Sequence, residues 1–349
     1  MDRLTDEKYM RRCLELARGG LCGASPNPMV GAVIVCDGRI IGEGYHIHCG
    51  GPHAEVNAVR SVRDKSLLSR STVYVSLEPC AHYGRTPPCA DMLCRLGVKR
   101  VVAGCIDPFA RVRGRGIQKL RDAGIDVTVG VLEEECRELN RRFMTCQSLH
   151  RPYVTLKWAE SSDGYIGLRG ERAVISTPLT SLNSHRLRAH NDAILVGGAT
   201  ALNDDPSLTT RLWPGPSPLR IVIDNRASLP ATLRLFSDGG PTLAVTPRPY
   251  ADERKGVETM VTDFSGDILT PLLSALYERG IQKLLVEGGA ETHRRFIASG
   301  LWDEVWREVG SAPLGGGVVA PRMPAGTVWT ERRMLGGLFL TARNKRPAD

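Results

Sequence analysis

Two successive α/β domains are the fold that this 349-residue sequence predicts, and three features predict it. Short apolar, strand-like runs alternate with helical segments along the chain, as in sheets covered by helices. The alternation breaks at Arg151-Pro152, where proline ends a helical run. All ten cysteines lie between Cys13 and Cys146, and none follows. Together these place one domain at 1–150 and a second at 151–349, each long enough to bury its own core.

The elements follow in order. Tyr9, Met10, Cys13, Leu14 and Ala17 recur at helical spacing, predicting a helix over Glu7–Arg18 that stops at Gly19-Gly20. Apolar runs at Val30–Cys36 and Arg39–Tyr45 flank Asp37-Gly38, a tight-hairpin dipeptide. A helix over Pro52–Val62 comes next. Strands at Thr72–Leu77, Arg100–Cys105 and Asp126–Val131 alternate with helices at Cys89–Leu96 and Arg115–Ala123, so an antiparallel hairpin leads into parallel strands. One helix is predicted over Glu133–Leu149.

Beyond Pro152, a strand at Tyr153–Trp158 opens the second series. Helix Leu179–Ala189 precedes strands at Ala193–Val196, Arg220–Asp224 and Thr242–Val245. Helix Ile268–Arg279, strand Lys283–Val286, helix Glu291–Ser299 and strand Glu304–Val309 complete the alternation. Gly336-Gly337 reads as the turn of a closing hairpin within Arg332–Leu340.

Composition excludes several classes. Hydrophobic residues make up 42% and charged residues 24%, ordinary values for a globular chain and unlike disorder. The opening MDRLTDEKYMRRCLELARGG is charged throughout, and no apolar run approaches a bilayer span. A soluble cytoplasmic protein is therefore expected, with its cysteines as thiols or metal ligands and not as a disulfide framework. The net charge of +8 suits phosphorylated small molecules and dinucleotides. Its arginines are scattered instead of forming a stripe, so neither nucleic acid nor membrane is an expected partner. A homo-oligomer is compatible with the sequence.

Chemistry concentrates in two stretches, Pro52-His53-Ala54-Glu55 and SLEPCAHYGRTPPCA, which carries Cys80 and Cys89. A catalytic zinc takes three protein ligands and leaves a fourth position open; one imidazole and two thiolates supply three and balance the ion's charge. Glu55, two residues past the histidine at a helix start, can reach metal-bound water and pass its proton to a leaving amine. His-x-Glu followed by Pro-Cys is the order found in zinc nucleobase deaminases. Other readings stand beside this one: His53 as a helix cap with Glu55 an ordinary first-turn acid, or a closed structural zinc with His82 as fourth ligand. The combination of all four residues favours the open site. Cys13, Cys36, Cys94 and Cys105 read as core thiols.

No Gly-x-Gly-x-x-Gly occurs in the second half. Gly197-Gly198 and Gly288-Gly289 instead mark two strand-to-helix junctions, where backbone amides can approach a phosphate or simply make a turn.

Pro-His-Ala-Glu-Val followed by Leu-Glu-Pro-Cys-x-His-x-Gly-Arg-Thr-Pro-Pro-Cys resembles the bifunctional riboflavin-biosynthesis deaminase/reductase family. Ser25-Pro-Asn-Pro-Met-Val-Gly31 and Gly44-Tyr-His46 add to the resemblance, which covers essentially the whole chain. The related cytidine and tRNA adenosine deaminases usually place their two cysteines two residues apart, so the longer Ala81–Pro88 loop is the most family-specific feature. The resemblance implies an N-terminal three-layer α/β/α cytidine-deaminase-like domain and a C-terminal dihydrofolate-reductase-like domain using NADPH. It implies zinc-dependent hydrolytic deamination of 2,5-diamino-6-(5-phosphoribosylamino)pyrimidin-4(3H)-one. NADPH reduction of the ribosyl side chain would then give 5-amino-6-(5-phosphoribitylamino)uracil.

Carried over onto matching positions, the resemblance implies that Asn27, His46, His82 and Arg85 contact the deaminase substrate, with Arg85 suited to its phosphate. Ala159, Val174, Thr200, Asp204, Asn225 and Gly289 would contact the cofactor. Arg172, Arg188, Leu208, Arg211 and Glu287 would contact the reductase substrate. The chain departs from the family at Phe109-Ala110, where Asn-Pro is frequent, and at Arg172 and Val174, where serine and tryptophan are common. It also lacks the lysine that usually follows Pro313. One alternative stays open: a zinc deaminase acting on another base or RNA, with a non-reductase binding module at its C-terminus.

Overall fold

The computed structural model of the chain describes residues 3–21, 23–83, 87–109, 112–170 and 173–344. It divides into two compact units, Met1–His150 and Arg151–Asp349. No helix among the described residues is long and apolar enough to cross a membrane.

The first unit runs α1 (Arg3–Ala17), β1 (Gly31–Cys36), β2 (Arg39–Tyr45), α2 (Ala54–Ser61), β3 (Thr72–Val75), α3 (Cys89–Leu96), β4 (Arg100–Ala103), α4 (Arg115–Asp122), β5 (Asp126–Val129), α5 (Glu133–Leu139) and α6 (Arg141–Leu149). Its sheet has the order β2-β1-β3-β4-β5. Pairing is antiparallel on both sides of β1 and parallel from β3 to β5. Asp37 and Gly38 both take positive φ, 49° and 74°, and Cys36 pairs with Arg39. That is the two-residue turn whose twist matches its strands.

Strand side chains point alternately to the two faces, and each face carries helices. Ile34, Val75, Val101 and Ala103 pack with Ala58 of α2, Leu93 of α3 and Leu120 of α4. Val33, Val35, Tyr74 and Val102 pack with Met10 and Cys13 of α1, Cys136 of α5 and Met144 of α6. The result is the expected three-layer arrangement. One prediction fails here: the helix expected over Glu133–Leu149 is two helices, broken at Asn140. The Asn140 amide accepts from Met29 N and donates to Met29 O, both at 2.8 Å, and this side-chain clamp accompanies the break. Cys94 is half-buried at the core's edge, unlike the buried Cys13, Cys36 and Cys105.

The second unit contains β6 (Tyr153–Glu160), β7 (Tyr165–Gly167), α7 (Pro178–Ala189), β8 (Ala193–Gly197), α8 (Gly198–Asp204), β9 (Leu219–Ile223), α9 (Arg234–Ser237), β10 (Thr242–Thr246), β11 (Val257–Val261), α10 (Leu269–Glu278), β12 (Lys283–Val286), α11 (Ala290–Ala298), β13 (Glu304–Val309), β14 (Val318–Val319), β15 (Thr330–Met334) and β16 (Gly337–Arg343). Nine strands form one sheet in the order β11-β10-β9-β8-β12-β6-β13-β16-β15. Pairing is parallel from β11 to β13 and antiparallel at the closing β16 and β15. Cores lie on both faces: Leu156, Leu195 and Leu284 pack with Leu272 and Leu276 of α10, while Ile194, Val222 and Leu285 pack with Leu187 of α7.

The closing turn differs by one residue from its prediction. Leu335 and Gly336 take positive φ, 53° and 70°, and Gly337 is already the first strand residue, paired with Met334. Because β6, β8, β9 and β12 are parallel, their carboxyl ends open at one edge, where ligands bind in open α/β sheets.

Candidate active sites

The first site begins at the amino end of α2. His53 is the extended residue before the helix (φ −69°, ψ 164°), and its imidazole makes no capping hydrogen bond, which removes the helix-cap reading. Its Nδ1 lies 3.5 Å from Cys80 Sγ and 3.4 Å from Cys89 Sγ. Donors bound to one tetrahedral zinc at about 2.0–2.3 Å sit about 3.5 Å apart, so the spacing fits that ion. All three ligand atoms lie within 4.8 Å of one another, and among the described residues His82 does not join them.

Cys89 is the first residue of α3, after Pro88, and its backbone amide donates to Cys80 Sγ at 3.3 Å. The Cys89 thiol and that amide both favour a charged Cys80 sulfur and hold its pKa well below the usual thiol value. Glu55, in the first turn of α2, is buried beside the Cys89 thiol. Burial pushes its carboxyl up to about 7, and the charge on Cys80 adds to the effect. A carboxyl poised there can both accept and donate a proton at neutral pH.

Asn27 and His46 are joined. Asn27 Nδ2 donates to His46 Nε2 at 3.1 Å. His46 Nδ1 faces the Pro52 carbonyl at 3.1 Å, so the proton sits on Nδ1. Burial holds this imidazole's pKa below its ordinary value, and its ring meets His53 edge-on at 5.4 Å. Two residues past Cys80, His82 packs edge-on against Phe109 at 5.8 Å, and among the described residues its buried Nδ1 has no partner. Arg85 lies outside the described residues.

Glu78 is a functional candidate that the sequence reading missed. Its buried carboxylate accepts the amides of Asp107, Gly114, Gly116 and Ile117, at 2.9–3.3 Å. It thereby ties the start of α4 to the segment leading into Cys80. The available signal was an acid at the end of an otherwise apolar strand exit, Thr72–Leu77.

The second site is a cavity of about 770 Å³ in the second unit. Ala159, Val174, Thr200, Asp204, Asn225 and Gly289 line it, as do Arg188, Leu208, Arg211 and Glu287. Arg172 lies outside the described residues, and Val174 is exposed, 78% accessible. Arg188 donates twice to Glu287, Nε at 3.1 Å and Nη2 at 2.6 Å. Burial alone would raise the Glu287 carboxyl, but the Arg188 and Lys157 charges outweigh it and hold the group low. Lys157, also on the cavity wall, carried no signal in its strand pattern.

Arg211 bonds only to neutral groups: its Nη1 donates to Thr209 Oγ1 at 2.7 Å and its amide to His185 Nδ1 at 3.0 Å. Among the described residues it has no carboxylate partner. The glycine pairs differ in purpose. A Cβ on Gly288 would strike the Val196 backbone, whereas Gly289 holds a φ of +71° beside Thr200, so packing alone requires the first.

Residues 3–105 match the cytidine and deoxycytidylate deaminase zinc-binding region, and residues 152–328 match the RibD C-terminal domain. Among relatives, the riboflavin biosynthesis protein RibD of Aquifex aeolicus is 41% identical over 312 residues, 87% of this chain and 86% of that protein. RibD of Escherichia coli is 40% identical over 321 residues, covering 86% of each. Of solved structures, Acinetobacter baumannii RibD aligns at a TM-score of 0.85 with 34% identity, covering 99% of this chain and 100% of that one. The Thermotoga maritima diaminohydroxyphosphoribosylaminopyrimidine deaminase/5-amino-6-(5-phosphoribosylamino)uracil reductase aligns at 0.84 with 36% identity, covering 98% and 99%.

Proposed function

Since the chain belongs to the RibD family, we propose that it performs two consecutive steps of riboflavin synthesis, deamination in unit 1–150 and reduction in unit 151–349. The observation that carries the first half is the convergence of His53, Cys80 and Cys89 beside the buried Glu55. These three side chains would hold a zinc ion. When bound, the ion supplies a water acidic enough to attack the pyrimidine at neutral pH. Glu55 takes the proton from the attacking water and returns one to the leaving amine, so ammonia departs and the ring carbon gains oxygen. Asn27 and His46 orient the 2,5-diamino-6-(5-phosphoribosylamino)pyrimidin-4(3H)-one, with His82 and Arg85 completing its contacts.

In the second unit, Ala159, Thr200, Asp204, Asn225, Gly289 and the exposed Val174 receive NADPH. When bound, that cofactor would supply the hydride that turns the ribosyl group into ribityl. Arg188 and Glu287 hold each other in place against the substrate, together with Leu208 and Arg172. Arg211 takes the phosphate, because no carboxylate among the described residues neutralises its charge. The product is 5-amino-6-(5-phosphoribitylamino)uracil. The enzyme works in the cytoplasm on phosphorylated pyrimidines. A separate deaminase of RNA or another base is not favoured, since the second half matches the RibD C-terminal domain.

Glu55→Gln tests the assignment. Deamination should fall about 10²–10⁴-fold, while bound zinc and reduction of already deaminated substrate stay unchanged. Normal deamination by this variant would refute the mechanism. Asp204→Ala should do the reverse, weakening reduction and sparing deamination; equal loss of both would indicate damage to the fold.

A further inference from the structure

We propose that Phe109 is a positioning residue for the deaminase substrate: its ring fixes the His82 imidazole so that the unpartnered Nδ1 is presented to a polar group of the pyrimidine. The inference rests on the deaminase reading above and adds a recognition element that the zinc chemistry does not require.

A buried polar atom without a partner is rare in a folded protein and calls for one. Among the described residues His82 Nδ1 is such an atom, two residues from the metal-site Cys80. The imidazole meets the Phe109 ring at 5.8 Å and 69°, an edge-to-face contact that favours one ring orientation. A phenyl ring does this without consuming either imidazole nitrogen. A polar side chain at the same place would compete with substrate for Nδ1.

Phe109 is itself held firmly. Its amide donates to Asp107 Oδ1 at 2.8 Å, and its carbonyl accepts from Val112 N and Arg113 N at 2.8 and 3.0 Å. Asp107 N in turn donates to Glu78 Oε2 at 3.3 Å, and Glu78 lies two residues before Cys80. One carboxylate therefore ties the segment carrying the metal-site thiol to the segment carrying Phe109. The Phe109 ring and His82 keep a fixed relation to the metal site because both segments converge on Glu78.

The experiment uses the full-length, zinc-loaded chain, with ammonia release from the phosphoribosylamino-pyrimidine as readout. Phe109→Leu keeps apolar bulk but removes the ring; Phe109→Tyr keeps the ring. Phe109→Leu should raise the deaminase KM about tenfold while kcat stays within about twofold, and Phe109→Tyr should restore KM. Zinc per chain and NADPH-dependent reduction should not change. Because the ring acts only through the imidazole, the Phe109→Leu/His82→Ala double variant should be no worse than His82→Ala alone. An unchanged KM in Phe109→Leu would overturn the proposal. So would full additivity with His82→Ala, or loss of zinc, which would assign Phe109 to folding. Absence of ammonia release by the unsubstituted enzyme would overturn the deaminase reading itself, a different result from an active enzyme indifferent to Phe109.

Discussion

Arg188 and Glu287 form a two-bond ion pair inside the second unit, with side-chain accessibilities of 14% and 9%. The pair joins α7 to the end of β12 and forms part of the cavity wall. Removing one partner of a buried pair strands the other charge, at a cost of about 3–5 kcal/mol.

Glu287→Gln should therefore destabilise the second unit by about that amount at neutral pH, and the Arg188→Met/Glu287→Leu double variant by less. Urea unfolding measures both. The folded-state pKa of Glu287 is depressed, so its stabilisation is present above the unfolded value and lost as pH falls. The gap between unsubstituted protein and Glu287→Gln should narrow below about pH 4.3. A gap that widened in acid would contradict the pairing.

Gly116 sits under the Pro79 carbonyl, and a Cβ there would collide with it. Pro79 directly precedes Cys80, so Gly116→Ala should displace the thiol as well as strain the backbone. Zinc per chain should fall, and stability should drop by roughly 2–4 kcal/mol. Metal analysis with thermal unfolding checks this; full zinc occupancy with unchanged stability would contradict it.

Much of this was legible in the sequence because its cause is local. Asp37-Gly38 dictates its own turn, and His53, Glu55, Cys80 and Cys89 carry their chemistry in residue type and order. What was not legible depends on residues far away in the chain. Nothing near Asn140 announces that its amide will clamp Met29, 111 residues distant, and break a helix. Glu78 looked like one acid among many until the fold brought four amides onto it. β11 was missed because its side chains are half-buried or exposed with none buried, so the apolar signal of a core strand is absent. The closing turn moved to Leu335-Gly336 because strand register selected which adjacent pair takes positive φ.

Arg211→Met should raise the reductase KM for the phosphorylated pyrimidine at least about tenfold. The KM for NADPH should stay unchanged, and a substrate lacking the phosphate should lose much less. Steady-state kinetics with both substrates tests this, and an equal loss for both would remove the phosphate from Arg211.

One chain should carry out deamination and then reduction of the same molecule. The direct measurement supplies the phosphoribosylamino-pyrimidine with and without NADPH and follows ammonia release and NADPH oxidation together. Ammonia should appear in both cases, and NADPH oxidation should begin only after it, reaching one NADPH per ammonia. NADPH oxidation that precedes or ignores deamination, or ammonia release with no oxidation at any time, would contradict consecutive deamination and reduction by this chain.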